Sequence, residues 1–270
     1  MTKTDVYMPK NANKGAVKYL VVVAHPDDGE ILAAGPVTES ANGKTVLALA
    51  VLTDGAGSAR SGAFAAYTDD EMKAVRVKEQ RAAAEEGRFE SLYMLRVPSG
   101  ELKAGSAEAV RAIADIIAEK QPEILITHNP FDRHPTHLAA GRTVMEALRS
   151  LPAGKRPKTV WGGEVWRSLD WLPVKYRLAL PADTTDGAAD RVLLCHKSQI
   201  DGGKRYDAAA KGRRLQNATF CESHSTDFAH EVAYFTDLSR VASGEITLAE
   251  FVEEVLKAFN DEILSGIKRK

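Results

Sequence analysis

The run Ala24-His25-Pro26-Asp27-Asp28 follows directly on the apolar stretch Tyr19-Leu20-Val21-Val22-Val23. A short β-branched run of this kind fits a buried parallel strand. One imidazole, a stiffening pyrrolidine ring and two adjacent carboxyls are therefore delivered at the carboxyl end of a strand, where open parallel sheets build their sites. The arrangement recurs: Ile124-Leu125-Ile126-Thr127 is a second apolar run, and His134-Pro135-Thr136-His137 follows soon after it.

The segments between and around these motifs predict alternating strands and helices. Helix is expected from Glu30 to the Asn42-Gly43 stop, and strand over Thr45–Thr53. Thr68-Asp69-Asp70-Glu71 has the form of a capping box opening a helix to about Gly87. Ser91–Leu95 reads as strand. Ser106 caps a helix whose apolar face is Val110, Ile113, Ile116 and Ile117, ending before Pro122. Leu138, Gly141, Met145 and Leu148 fall on one face of the helix after the second motif. This order predicts an α/β fold with a mainly parallel sheet and helices on both faces.

Beyond residue 150 the pattern loosens. Thr159–Val165 and Tyr176–Leu180 read as strands, with Trp161, Trp166 and Trp171 around them, and Ala188–Cys195 as helix. Residues 200–230 show no clear period. Thr247-Leu248-Ala249-Glu250 is another capping box, followed by the stripe Leu248, Phe251, Val252, Val255, Leu256, Phe259 and Ile263. A C-terminal helix is expected at about 247–268, packed on the body or on a partner subunit. No domain boundary is visible, so residues 1–270 are expected to form one domain.

The formal net charge of −1 does not favour nucleic acid or an anionic membrane as partner. Cys195 and Cys221 are too few for a disulfide framework and form no CxxC site. No stretch reaches the roughly 18 apolar residues of a membrane span, and Met1–Lys18 lacks an apolar secretory segment. The expectation is a cytoplasmic protein.

Three nitrogen and oxygen ligands with an open position describe a catalytic zinc site, and His25, Asp28 and His137 are the candidates. Asp27 and Asp28 are adjacent, so their side chains diverge, which favours one for the metal and the other for a proton. Asp27 is then the candidate base. His134 is the candidate to stabilise an oxyanion and protonate a leaving amine. Such a set suits hydrolysis of an amide or ester.

On these motifs the chain resembles the PIG-L/LmbE family of zinc-dependent de-N-acetylases, whose signature is AHPDD after the first strand and HPDH before a later helix. The resemblance covers about Lys18–Ala147. It resumes weakly at His196-Lys197-Ser198-Gln199, which is similar to the family's late H-x-S-Q. Arg76 and Glu79 match its R-x-x-E, and Asp132-Arg133 also matches. The resemblance implies a three-layer Rossmann-like (LmbE-like) fold. It implies His25, Asp28 and His137 as ligands of Zn2+ or another divalent metal, Asp27 as general base and His134 as acid. Arg76, Arg133 and His196 are the substrate-binding candidates. The implied activity is removal of the acetyl group from an N-acetylglucosamine-type sugar or conjugate, giving free amine and acetate. The alternatives are a catalytically weak sugar-binding member and a metal-dependent esterase. The implied partner is a small N-acetylated amino sugar, with homo-oligomers common among relatives.

The chain departs from the family where Thr136 replaces the usual aspartate of HPDH, so the expectation is either that His134 is a weaker acid–base group or that another carboxylate supports it. It departs again at Ala33-Ala34-Gly35-Pro36, where the helix start is expected to differ. His128 reads as a supporting or structural residue. Gly55-Ala56-Gly57 reads as a tight turn that could wall a pocket, since it lacks a phosphate loop's third glycine and lysine. The tryptophan segment could line a sugar site or fill the core.

Overall fold

The computed structural model describes residues 4–182 and 186–268. Its strands are β1 (Asp5–Tyr7), β2 (Tyr19–Val23), β3 (Leu47–Thr53), β4 (Ser91–Val97), β5 (Ile124–His128), β6 (Thr159–Gly163), β7 (Leu178–Pro181) and β8 (Val232–Asp237). The helices are α1 (Asp28–Leu32), α2 (Ala34–Ala41), α3 (Asp69–Glu86), α4 (Ser99–Ala104), α5 (Ala107–Lys120), α6 (Pro135–Ser150), α7 (Ala188–Leu193), α8 (Lys197–Gln199), α9 (Tyr206–Thr219), α10 (Ser239–Ser243) and α11 (Leu248–Lys268).

The strands form one sheet in the order β1-β4-β3-β2-β5-β6-β8-β7. From β4 to β6 all neighbours are parallel. The pairs β1–β4, β6–β8 and β7–β8 are antiparallel. The expected mainly parallel sheet is thus a mixed one, parallel at the centre and antiparallel at both flanks. The central strands are buried on both faces, and alternate residues feed two separate apolar clusters. Leu20, Val22, Ala48, Ala50 and Leu52 join Ile113, Ile117, Val144 and Val255 on one side. Val21, Val23, Leu49 and Val51 join Leu32, Val37, Ala83 and Val192 on the other.

The chain moves outward from β2 to β3 and β4, then returns to place β5 on the other side of β2. The strand order reverses there, and a crevice opens beyond the carboxyl ends of β2 and β5. Pairing between these two strands runs only from Tyr19↔Ile124 to Val21↔Ile126. Past that point, the Ala24 N–H donates to Nε2 of His128 at 2.9 Å, which satisfies a buried backbone donor where the ladder has stopped.

Several local expectations correspond closely to what is found. Thr68 and Glu71 form the reciprocal cap of α3, Ser106 caps α5, and Thr247 and Glu250 cap α11. The helix expected from Glu30 to Asn42 is instead two, α1 and α2, broken at Ala33. Pro36 accounts for the break, because its ring clashes with the carbonyl four residues back, that of Leu32, and it has no N–H to donate. The buried face of α6 is wider than the stripe read from sequence, taking in Ala140, Val144 and Ala147 while Leu138 is half-buried.

Strands β1 and β8 and helix α9 were not foreseen. Helix α9 carries no apolar stripe because its inward face is polar. Arg214 Nε donates to Glu231 Oε2 at 2.5 Å, and Asn217 Nδ2 donates to Glu164 Oε1 at 2.7 Å. Of the apolar stripe on α11, only Phe251 and Val255 are buried, while Leu256 and Ile263 are about half exposed.

Candidate active site

Asp28 opens α1 directly beneath the end of β2, and its Oδ2 accepts the His25 backbone N–H at 2.8 Å. Gly29 lets α1 lie close to the sheet, since a Cβ there would meet Leu49 Cδ1 at 2.8 Å and that side chain would have to shift. Pro135 at the first position of α6 projects the His137 ring back toward the same point. His25 Nδ1 lies 3.1 Å from Asp28 Oδ2 and 3.1 Å from His137 Nε2. His137 Nε2 lies 3.3 Å from Asp28 Oδ2.

These three atoms fit a divalent ion. Ligands at roughly 2.0–2.1 Å from a tetrahedral zinc lie about 3.3 Å from one another, the size of the spacings found. The donor set, two imidazole nitrogens and one carboxyl oxygen, is also of the right kind. Two overlapping trios, His25–His134–His137 and Asp28–His128–His137, have ligand atoms within 4.8 Å of one another, and His137 is common to both.

Asp132 fixes which nitrogen His137 presents. Its Oδ2 lies 3.2 Å from His137 Nδ1 and also accepts the Trp166 N–H at 3.1 Å, while its Oδ1 accepts the His134 N–H at 2.8 Å. A carboxylate behind a ligating histidine orients the ring and raises its basicity. Burial disfavours charge on His137, but Asp28 and Asp132 together lift its pKa to about 10. Burial works against charge on Asp28 as well, yet the His137 and His25 rings hold it well below the usual carboxylate range. His128 stacks on His137 with ring centroids 4.1 Å apart. Burial, then the charge on His137, push His128 down to about 4, so it supports the site as a neutral ring.

Asp27 takes a different partner from Asp28, as expected of adjacent carboxylates. It adopts the left-handed conformation, φ 98° and ψ −28°, which aspartate tolerates better than most residues and which often marks functional positions. Its Oδ2 accepts from Arg76 NH2 at 2.7 Å. Burial raises the Asp27 pKa despite that guanidinium.

Arg76 was expected to face substrate. It is 1% exposed and its guanidinium is committed to Asp27, the Pro26 carbonyl, Glu79 and Ser198. It therefore holds Asp27 in place from the cavity floor. Gly55, at φ +75°, closes its loop over this side chain, and a Cβ there would meet Arg76 Cγ at 2.9 Å. Glu79 accepts the Ser198 N–H at 2.6 Å and the Ser198 hydroxyl at 2.8 Å. The R-x-x-E and H-x-S-Q segments are thus stitched together. His196, another substrate-binding candidate, is wholly buried, with Nε2 3.6 Å from Glu30 Oε2, and is not among the residues lining the cavity.

His134 does line the cavity. Burial, then the charges on His137 and His25, push its pKa down to about 4, so its resting ring is neutral. Thr136 lines the cavity beside it. Asp132 grips the His137 ring and only the backbone of His134, so it does not take the place of the missing HPDH aspartate at the His134 ring. No hydrogen-bond partner of His134 Nδ1 is found among the described residues.

The cavity holds about 670 Å³, and its lining includes His25, Asp27, Asp28, Arg133, His134, Trp166, Lys204, Tyr206 and Arg213. Trp166 lies 5.7 Å from the His134 ring. Trp161 and Trp171 instead pack on Phe235 and on Phe131 and Phe259. Burial, then Asp27 and Asp28, push the Tyr206 phenol up to about 12, so it stays a donor. Sequence reasoning gave no role to Asp132, Tyr206, Lys204 or Arg213. For Asp132 a signal existed, a carboxylate five residues before a ligand histidine. The others come from the aperiodic 200–230 stretch, which carries none.

Residues 20–148 match the PIG-L family model, described as GlcNAc-PI de-N-acetylase. A curated relative, the probable N-acetyl-alpha-D-glucosaminyl L-malate deacetylase 2 of Bacillus anthracis, is 30% identical over 140 residues, which is 51% of this chain. The chain spans only 62% of that relative's length. Among solved structures, N,N'-diacetylchitobiose deacetylase from Pyrococcus horikoshii superposes with a TM-score of 0.65 at 16% identity, covering 84% of this chain and 86% of that one. The 4-carboxy-2-hydroxymuconate hydratase GalB from Pseudomonas putida superposes with a TM-score of 0.63 at 18% identity, covering 82% and 96%. At such identities the likeness is one of fold, and the fold carries more than one reaction.

Proposed function

We propose that this chain, a member of the PIG-L family through residues 20–148, is a divalent-metal-dependent deacetylase that hydrolyses the acetamide of an N-acetylglucosamine-type sugar or conjugate. Zinc is the first choice of ion. The reading takes residues 1–270 as one catalytic domain. The observation that carries it is the meeting of His25 Nδ1, Asp28 Oδ2 and His137 Nε2 at 3.1–3.3 Å, with a second carboxylate, Asp27, held beside them by Arg76. The name of the Bacillus anthracis relative supports the substrate class.

His25, Asp28 and His137 would hold the ion. When bound, a divalent cation supplies Lewis acidity toward a carbonyl oxygen and acidifies water. Asp27 takes the proton of the attacking water at its carboxylate, and its raised pKa makes it a better base than an exposed aspartate. Arg76 keeps that carboxylate from rotating away. His134, neutral at rest, offers a ring N–H to the oxygen on which charge develops. The proton collected by Asp27 goes to the departing nitrogen, so amide plus water become amine plus acetate.

The test is acetate release from N-acetylglucosamine glycosides by zinc-loaded protein, with the free amine measured in parallel. Equimolar amine and acetate are expected. In Asp27→Asn the rate should fall by about 10²–10⁴-fold, the usual contribution of a positioned base. An unchanged rate in that variant would remove Asp27 from the mechanism.

A further inference from the structure

Two buried side chains of the late segment His196-Lys197-Ser198-Gln199 lead back to Asp27 by separate routes. Ser198 bonds Glu79 and Arg76, and Arg76 bonds the Asp27 carboxylate. His196 leads instead to the Asp27 backbone. Its Nε2 lies 3.6 Å from Glu30 Oε2. Glu30 Oε1 accepts from Gln80 Nε2 at 2.7 Å, and Gln80 Oε1 accepts the Asp27 N–H at 3.3 Å. Glu30, Gln80 and His196 are all buried. Among the described residues, neither Glu30 Oε2 nor either ring nitrogen of His196 has a hydrogen-bond partner. Buried polar atoms in native structures are answered by one another, and here the Glu30 oxygen and the His196 ring stand face to face with no competitor.

Asp27 needs such a hold. A non-glycine residue keeps the left-handed conformation only where its surroundings over-determine it, and Asp27 sits at φ 98°. Its carbonyl accepts the Ile31 N–H at 3.2 Å, and the Gln80 amide is the partner of its own N–H. That amide has two orientations. One presents oxygen to the Asp27 N–H, and the other sets donor against donor. The Glu30 carboxylate selects the first, because it accepts from the amide's NH2 end and is repelled by its oxygen. Arg76 and Gln80 are four residues apart on α3 and so share a face. One turn of helix thereby grips Asp27 at its carboxylate and at its backbone.

We propose that Gln80, Glu30 and His196 are positioning residues for Asp27: the Gln80 amide fixes its backbone, Glu30 fixes the orientation of that amide, and His196 answers Glu30. The proposal rests on the deacetylase reading only for the role of Asp27 as base.

The test uses zinc-loaded protein and Gln80→Met, which keeps the length and bulk of the side chain but loses both amide bonds. Backbone amide exchange, followed by nuclear magnetic resonance, should quicken at Asp27 by about tenfold, as expected of one lost hydrogen bond. Ala24, whose N–H is held by His128, should exchange as in the parent. On N-acetylglucosamine glycosides kcat should fall by about 10–100-fold with KM and zinc content unchanged, since a misplaced base weakens the transition state and not substrate binding. His196→Phe should move both readouts in the same direction, and His196→Gln, which restores a donor, should return them toward the parent. Unchanged Asp27 exchange in Gln80→Met, or quickened exchange with parental kcat, overturns the positioning role. If Gln80→Met loses its fold, the His196 pair decides, and equal behaviour of His196→Phe and His196→Gln overturns it. Quickened exchange in a chain whose parent releases no acetate would leave the hold on Asp27 standing and overturn the deacetylase reading instead.

Discussion

Asp132 Oδ2 stands 3.2 Å behind His137 Nδ1, which leaves His137 Nε2 as the nitrogen turned toward Asp28 and His25. The tautomer of a ligand candidate is thus set by a residue outside the His-Pro-Thr-His motif. In Asp132→Asn the charge behind the ring is lost while the side chain keeps its shape. Metal affinity, read by competition with a chromogenic chelator, should weaken by about 10–100-fold, with the far-ultraviolet dichroism unchanged. Undiminished affinity would show that Asp132 does not tune the site.

Metal uptake should release a proton. Flanked by Asp28 and Asp132, the metal-free His137 ring is protonated up to about pH 10, whereas His134 and His128 are already neutral above about pH 4. The ion must displace the His137 proton, so affinity should rise about tenfold per pH unit through the neutral range. Calorimetry in buffers of different ionisation enthalpy would count the protons; a count of zero would contradict this picture.

Glu164 gives a stability signature away from the metal site. Burial raises its carboxyl pKa to about 6, against the ordinary 4.5, while it accepts from Leu169 N–H and Asn217. The folded chain therefore holds this proton more tightly than the unfolded one. The associated stability is complete below pH 4.5 and is lost as pH rises through 6, about 2 kcal/mol in all. Urea unfolding across that range should show the decline, and Glu164→Gln should remove it. A variant with the slope of the parent would assign the effect elsewhere.

Arg76 pairs with two buried acids, Asp27 and Glu79, which its loss would strand. Arg76→Met leaves Asp27 and Glu79 without their cation, and breaking a buried pair from one side costs about 3–5 kcal/mol. Chemical denaturation should register that loss while the ion-to-chain ratio stays at its parent value. A stable variant with a raised KM and unaltered kcat would instead return Arg76 to a substrate-binding role.

The legible parts of this molecule are those governed by one local rule. Hydrophobic runs marked β2 to β5 because central parallel strands are apolar on both faces. Capping boxes marked the starts of α3 and α11 because the reciprocal bonds involve residues three apart. His25, Asp28 and His137 could be gathered from sequence because two strand ends meet at the point where the sheet order reverses. What was hidden depended on distant partners. Helix α9 buries Arg214 and Asn217 against Glu231 and Glu164, so no apolar period announces it. Arg76 looked available for substrate until the fold brought Asp27 and Ser198 against it. Asp132 carried no visible role until Trp166 and His137 converged on its carboxylate.

The central claim is that one cation is held by His25, Asp28 and His137, with His134 and Asp27 outside the ligand set. Elemental analysis of zinc-reconstituted protein after gel filtration tests it directly. One ion per chain is expected in the parent, in Asp27→Asn and in His134→Ala, and almost none in His25→Ala or His137→Ala. Loss of the ion from His134→Ala, with retention in His25→Ala, would contradict the account.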